Sequence, residues 1–158
     1  MLDCESVYEV VKDCNAVIST VGQRKDEPLV ASQATMNILA AMSENDVKRY
    51  ILVAGLNVTT PFDKKGNETL AATEWMNANF PLIHEDRQKA YEILVKSESD
   101  WTLVRVPFIE FKDERGEVAV SLEDSPGQKI SAADIAGFLI GQLGDQTYFR
   151  KAPFIANK

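Results

Sequence analysis

His84 is the only histidine in the chain. Imidazole is the side chain whose ordinary pKa lets it trade a proton near neutral pH, so His84 is the one candidate catalytic residue, as a proton donor. The competing role is a cap or surface residue at a helix start, and both stay open here. Sulfur adds little. Cys4 and Cys14 form no C-x-x-C pair, and one histidine cannot complete a ligand set, so no metal site is expected. Two unpaired thiols suit a cytoplasmic protein. Phe62, Trp75, Met76 and Phe80 fall within one stretch, where they either wall an apolar substrate site or form that stretch's own small core. The basic doublets Lys64–Lys65 and Arg150–Lys151 form no stripe and read as solvated surface.

The chain of 158 residues is 45% apolar, enough for one globular domain with a core. Seventeen basic residues against 24 acidic ones leave a net charge of −7, which repels phosphate backbones and anionic bilayers. Neither nucleic acid nor membrane is an expected partner. No apolar run approaches the roughly 20 residues that span a bilayer.

Periodicity supplies the elements that must position any site. Asp3 to Lys12 predicts a helix capped by Asp3, with Val7, Val10 and Val11 on its apolar face. Ala16 to Thr20 is a short β-branched run, a buried strand. A charged loop, Gln23 to Glu27, leads to a helix opened by Pro28 and running to about Glu44, with Val30, Met36, Ile38, Leu39 and Met42 apolar. Arg49 to Ala54 is the next buried strand, ended by Gly55. The mixed stretch Asn57 to Glu85 is too long for a bare connection and reads as a functional insertion with a short helix at Thr69 to Asn77. A helix follows over Asp86 to Lys96, then a strand over Trp101 to Val106. Glu117 to Leu122 alternates like a half-exposed strand. Ser131 to Asp134 resembles a capping box opening a helix whose buried face is Ile135, Phe138, Leu139 and Leu143 and which ends at Gly144. Tyr148 to Ile155 reads as an edge strand because of Pro153.

Strands alternating with helices make an α/β fold with a parallel sheet. Ligands of such sheets bind beyond the carboxyl ends of the strands. Those ends are Thr20-Val21-Gly22, Ala54-Gly55-Leu56 and Val106-Pro107-Phe108. Gly22 would let the backbone approach a sugar or phosphate, or it simply begins a turn.

Four stretches, in order, carry a family resemblance: DCESVYEVVKDCNAVISTVG, ATMNILAAMSENDVKRYILVAG, DWTLVRVPFI and KISAADIAGFLIGQLGDQTYFRKAPFIAN. Together they resemble the atypical short-chain dehydrogenase/reductases that bind NAD(P)H, in particular the NmrA-like and flavin/biliverdin-reductase-like groups. The resemblance implies that residues 1–158 form a single partial Rossmann-like domain, N-terminally truncated. The family opens with G-x-x-G-x-x-G and two βα units, which this sequence lacks, a difference of roughly 60 residues. The first strand would then lose its inner neighbour, and an exposed strand edge invites pairing with a second copy.

The same resemblance assigns cofactor contacts. It implies NADP or NAD against Thr20, Val21 and Gly22, beside Ala54 and Gly55, and under Val106, Pro107 and Phe108, where Phe108 stacks on a flat ring or packs under a loop. Gly55 stands where reductases of this family carry a serine, with Asn57, Thr59 and Thr60 as nearby substitutes. Arg87 stands where relatives carry a lysine on the nicotinamide ribose; the other role for it is a solvated helix residue. Ile83 stands at the tyrosine position, so tyrosine acid catalysis is unsupported, and His84 adjoins that slot. The implied activity is an NAD(P)H-dependent reductase acting on a flat conjugated substrate of flavin or quinone type. The alternatives are a non-catalytic cofactor sensor and an inactive truncated gene product. Without the diphosphate turn, the chain alone is expected to bind NAD(P)H weakly or not at all.

Overall fold

The structure, a computed structural model, describes residues 2–23 and 29–158. The helix start expected at Pro28 lies outside the described residues. The chain runs α1 (Cys4–Val11), β1 (Ala16–Ser19), α2 (Ala31–Glu44), β2 (Arg49–Gly55), α3 (Asn67–Asn79), α4 (Pro81–Lys96) and β3 (Asp100–Val106). It continues with β4 (Phe108–Glu110), β5 (Val118–Ser121), β6 (Lys129–Ser131), α5 (Ala132–Gly141) and β7 (Phe154–Asn157).

The main sheet has the order β1-β2-β3-β7-β5. β1, β2, β3 and β7 are parallel, and β5 closes the far side antiparallel to β7. This is a Rossmann-like α/β sheet with flanking helices. A short parallel pair, β4 with β6, stands apart from it. β2 and β3 are paired through all seven residues, from Arg49 opposite Asp100 to Gly55 opposite Val106.

Alternation along the strands sorts side chains to two faces. Tyr50, Leu52, Trp101 and Leu103 join Val7, Ile38, Met42 and Leu94 in the core beneath α1, α2 and α4. Ile51, Val104 and Ile155 join Ile130, Ile135 and Leu139 on the other face, beneath α5.

Several expectations are corrected. Val10 is exposed, because α1 packs chiefly against α2 and only a narrow stripe of it, Val7 and Val11, turns into the core. Met36 is exposed on α2, whose buried residues Ala34, Ile38, Ala41 and Met42 lie on its other faces. The insertion holds a thirteen-residue α3 and the first turn of α4, which Pro81 opens five residues before Asp86. α5 stops at Gly141, leaving Leu143 exposed beyond it. β7 is an interior strand. Pro153 precedes its first paired residue, so no ladder bond needs the missing N–H, and the Pro153 carbonyl accepts from Arg105 N at 2.8 Å.

The capping box is present in altered form. Ser131 Oγ accepts from Asp134 N at 3.0 Å, but Asp134 is too short to reach back to the Ser131 N–H, which donates to Asn157 Oδ1 at 2.9 Å instead. Lys65 is also unlike its reading as surface. Its side chain is buried, and its ammonium donates to Val58 O, Thr59 Oγ1 and Thr73 Oγ1. Three acceptors and nearby Asp63 compensate the lost hydration, and burial still pulls its pKa down to about 8.

Candidate functional site

The three strand ends do meet. A crevice of about 260 Å³ is lined by Thr20, Val21 and Gly22 beyond β1, by Ala54 and Gly55 at the end of β2, and by Val106 and Pro107 at the end of β3. Arg87 enters from α4, and Ala31 and Ala34 of α2 complete the wall. Small residues dominate, which leaves backbone accessible to a bound group. At Gly22 an added methyl would meet nothing within 4 Å, so this glycine faces open space.

Phe108 is not part of this crevice. It is exposed and lines a neighbouring cavity of about 740 Å³, together with Leu56, Asn67, Glu68 and Gln128, while Ile109 takes its place in the crevice wall. Alternation explains the swap, since consecutive strand residues face opposite ways.

Gly55 is tightly confined. A Cβ there would lie 3.1 Å from Arg87 Nη1 and would collide with Asn57 Oδ1. The Asn57 carboxamide therefore fills the space that a serine side chain at position 55 would need. Asn57 is 2% exposed, and its Nδ2 donates to His84 Nδ1 at 3.0 Å. An amide nitrogen only donates, so Nδ1 is the acceptor in this contact. His84 itself does not line the crevice. Thr59 and Thr60 are engaged elsewhere: Thr59 Oγ1 accepts from Lys65, and Thr60 Oγ1 donates to Asp63 at 2.7 Å.

Among the described residues, the Arg87 guanidinium has no hydrogen-bonded or ion-paired partner. Burial lowers its pKa, and the adjacent Asp86 charge pulls the other way. Arginine stays protonated across the physiological range, so a fork of unpaired donors faces the crevice. Phosphate, carboxylate or sugar hydroxyl oxygens are its natural partners.

Three functional supports were not readable from sequence. Asp86 accepts from Ala31 N and Ser32 Oγ and so closes the N-terminus of α2. The signal was negative: no local side chain caps that helix, whose N-cap is Val30. Tyr50 lines the crevice while almost fully buried, and burial pushes its phenol up to about 12, so it stays neutral. Arg105, fully buried, donates from Nη1 to both oxygens of Asp63 at 2.8 and 2.7 Å and anchors the loop after β2.

A family model described as NAD(P)H-binding matches residues 1–146. The chain belongs to the NAD(P)H-binding family. Its fold is that of solved Rossmann-type oxidoreductases. A short-chain dehydrogenase/reductase from Veillonella parvula, solved in complex with NADP, superposes with a TM-score of 0.74 at 16% identity, covering 98% of this chain and 68% of that one. An anaerobillin reductase, ChuY, from Escherichia coli superposes at 0.78 and 16% identity, covering 99% of this chain and 71% of that one. A putative exported protein from Burkholderia pseudomallei superposes at 0.79 and 20% identity, covering 98% and 77%. No protein of curated function matches the sequence.

Proposed function

We propose that this chain forms the nicotinamide-facing side of an NAD(P)H-dependent reductase whose acceptor is a flat conjugated molecule of flavin or quinone type. The observation that carries the reading is the Arg87 guanidinium, unpartnered among the described residues, facing a crevice made of three parallel strand ends. The residues present fit a nicotinamide nucleotide: small side chains at Ala54, Gly55 and Gly22 leave room, and Arg87 offers donors to a ribose or phosphate oxygen. Bound there, the nicotinamide supplies a hydride. The protein's part is to orient and to exclude water. Val106, Pro107 and Ile109 form a dry wall, and the adjoining cavity edged by Leu56 and Phe108 gives a flat acceptor a place next to the crevice. No proton step is assigned to His84.

The affinity of the chain by itself is weak. It carries no G-x-x-G-x-x-G turn, and hydrogen bonds to a charged diphosphate contribute about 1.5–3 kcal/mol each. Losing even about 4 kcal/mol weakens binding about a thousandfold. NADPH titrated against Trp75 and Trp101 fluorescence tests this, and micromolar affinity for the chain alone would contradict it. NADPH oxidation with flavin and quinone acceptors, at NADPH concentrations that compensate weak binding, tests the reductase reading. Absence of turnover with every such acceptor despite measurable binding sinks it.

A second reading is a non-catalytic cofactor sensor. Gly55 and Ile83 favour it, because neither the serine nor the tyrosine hydroxyl of related reductases has a counterpart here and Asn57 occupies the serine's space. Binding without turnover would select this reading.

A further inference from the structure

The cavity that Phe108 lines joins the strand-end crevice through the chain itself. Leu56 follows Gly55, and Phe108 follows Pro107, so two residues of the crevice wall lead directly into two of the cavity wall. The Leu56 N–H donates to Val106 O at 3.0 Å and fixes that shared rim. At about 740 Å³ the cavity has the size of a small-molecule site. Leu56, Ala72 and Phe108 form its apolar part. Phe108 is 69% exposed, which leaves its ring available to stack on a flat molecule.

The charge on the lining has one sign. The first turn of α3 brings Glu68 to the cavity, and the loop after β5 brings Asp124. Among the described residues no lysine or arginine lines it. Asp124 is pinned: it accepts from Ser125 N at 2.8 Å, and a Cβ on Gly66 would lie 2.8 Å from its Oδ2. Burial pushes the Asp124 carboxyl up, but hydrogen bonds from Thr69, Gly66 and Ser125 and the charge of Lys65 outweigh that, so its pKa is lowered and it stays ionised. Lys65 thus offsets part of the Asp124 charge. Glu68 has no such counterweight. Among the described residues it makes no ion pair, and its partner is the neutral Gln128 amide, whose Nε2 donates to Oε2 at 3.1 Å. The N-terminus of α3 supplies only about half a positive charge, less than either carboxylate carries. A phosphate or carboxylate entering here meets net repulsion, whereas an uncharged ring meets an aromatic platform.

We propose that this cavity selects an uncharged flat acceptor, a quinone or a flavin without its phosphate, and that Glu68 is the residue that turns anionic acceptors away. The inference rests on the reductase reading and specifies its acceptor. The reaction balances: one hydride from NADPH and one proton from water reduce a quinone to a hydroquinone, or a flavin to its dihydro form, leaving NADP⁺. Phe108 serves every acceptor alike, since stacking does not depend on a remote charge, and Glu68 divides them.

Riboflavin and FMN give the test, because they share one ring and differ by a phosphate. With NADPH in excess, the intact chain is expected to show kcat/KM about fivefold higher for riboflavin at low ionic strength, the size of an exposed charge contact, with the difference in KM. Glu68→Gln should shrink that ratio to less than about twofold, and so should about 0.5 M salt. Phe108→Ala should lower both acceptors together, about fivefold. Binding is read separately by ¹H–¹⁵N NMR, where riboflavin should shift the amides of Glu68, Phe108 and Gln128 at lower concentration than FMN does. Equal kcat/KM for the two flavins, a ratio that Glu68→Gln leaves unchanged, or flavin shifts that miss these three amides each overturns the proposal and leaves the reductase reading in place. Absence of turnover with flavins and quinones alike removes the reductase reading, and this proposal with it.

Discussion

The carboxylate of Asp86 accepts from the backbone N–H of Ala31 at 2.8 Å, so α4 caps α2 across a separation of 55 residues. Ser32 adds its own N–H and a short hydroxyl bond of 2.5 Å to the same carboxylate. One residue further along α4, Arg87 faces the crevice. The tie that closes α2 therefore also fixes the turn that aims the arginine.

Replacing Asp86 with alanine should strip those donors of their acceptor. A buried donor left unmatched costs about 1–3 kcal/mol. Urea unfolding of Asp86→Ala should show a loss of that size, with Asp86→Asn intermediate because an amide oxygen still accepts. An unchanged midpoint for Asp86→Ala would show that the cap carries no weight.

Arg87 should behave in the opposite way, costing binding without stability. Among the described residues its donors have no partner, so Arg87→Met should leave the thermal midpoint unchanged or slightly raised. A hydrogen bond from a charged donor contributes about 1.5–3 kcal/mol, so NADPH affinity should fall roughly 10- to 100-fold. Lysine at the position should recover part of it, since it keeps the charge without the fork. Equal affinities for wild type and Arg87→Met would remove Arg87 from the site.

Gly55→Ser should be destabilising by about 1–3 kcal/mol through overpacking against Asn57. Asn57→Gly alone also costs stability, because it deletes a buried amide bonded to His84. If the two side chains compete for one space, Gly55→Ser should cost clearly less in the Asn57→Gly background. Additive losses in the double-mutant cycle would refute the overlap.

Lys65 gives a stability signature in alkali. Its folded pKa of about 8 lies below its ordinary 10.5. Between those values the unfolded chain binds the extra proton, so this group's contribution rises as pH climbs from about 8 toward 10.5 and is lost as pH falls through 8. Tyr50 acts the other way only higher, its contribution fading as pH rises from 10 toward about 12. Thermal midpoints between pH 7 and 9.5 should rise more steeply for wild type than for Lys65→Met. Parallel curves for the two proteins would exclude the lysine as the source.

The parallel sheet and the meeting of three strand ends were legible because each strand is a short apolar run bounded by Gly, Pro or Asn. The sequence placed Gly22, Gly55 and Pro107 at one crevice by that logic alone. What stayed hidden was polar and long-range. Arg105 stands in a run that otherwise reads as buried strand, and only the fold reveals that Asp63, 42 residues earlier, neutralises it. Lys65 looked like half of a surface doublet, because sequence neighbours say nothing about which ammonium turns inward. Strand-end position and the resemblance both point to Phe108 as a crevice residue, but the period-two alternation of a strand turns Ile109 in that direction instead. The interior position of β7 is hidden in the sequence, because Pro153 reads as part of the strand whereas it precedes Phe154, the first strand residue.

The seven-residue pairing of β2 with β3 does not stop at the strand ends: Leu56 N donates to Val106 O at 3.0 Å, one step further on. Two rims of the crevice thus behave as a single fixed jaw. β1 leaves its ladder at Ser19, opposite Leu52, so Thr20, Val21 and Gly22 project without that support. Substitutions on this third rim, rather than at Gly55 or Pro107, are therefore expected to change the width of the mouth.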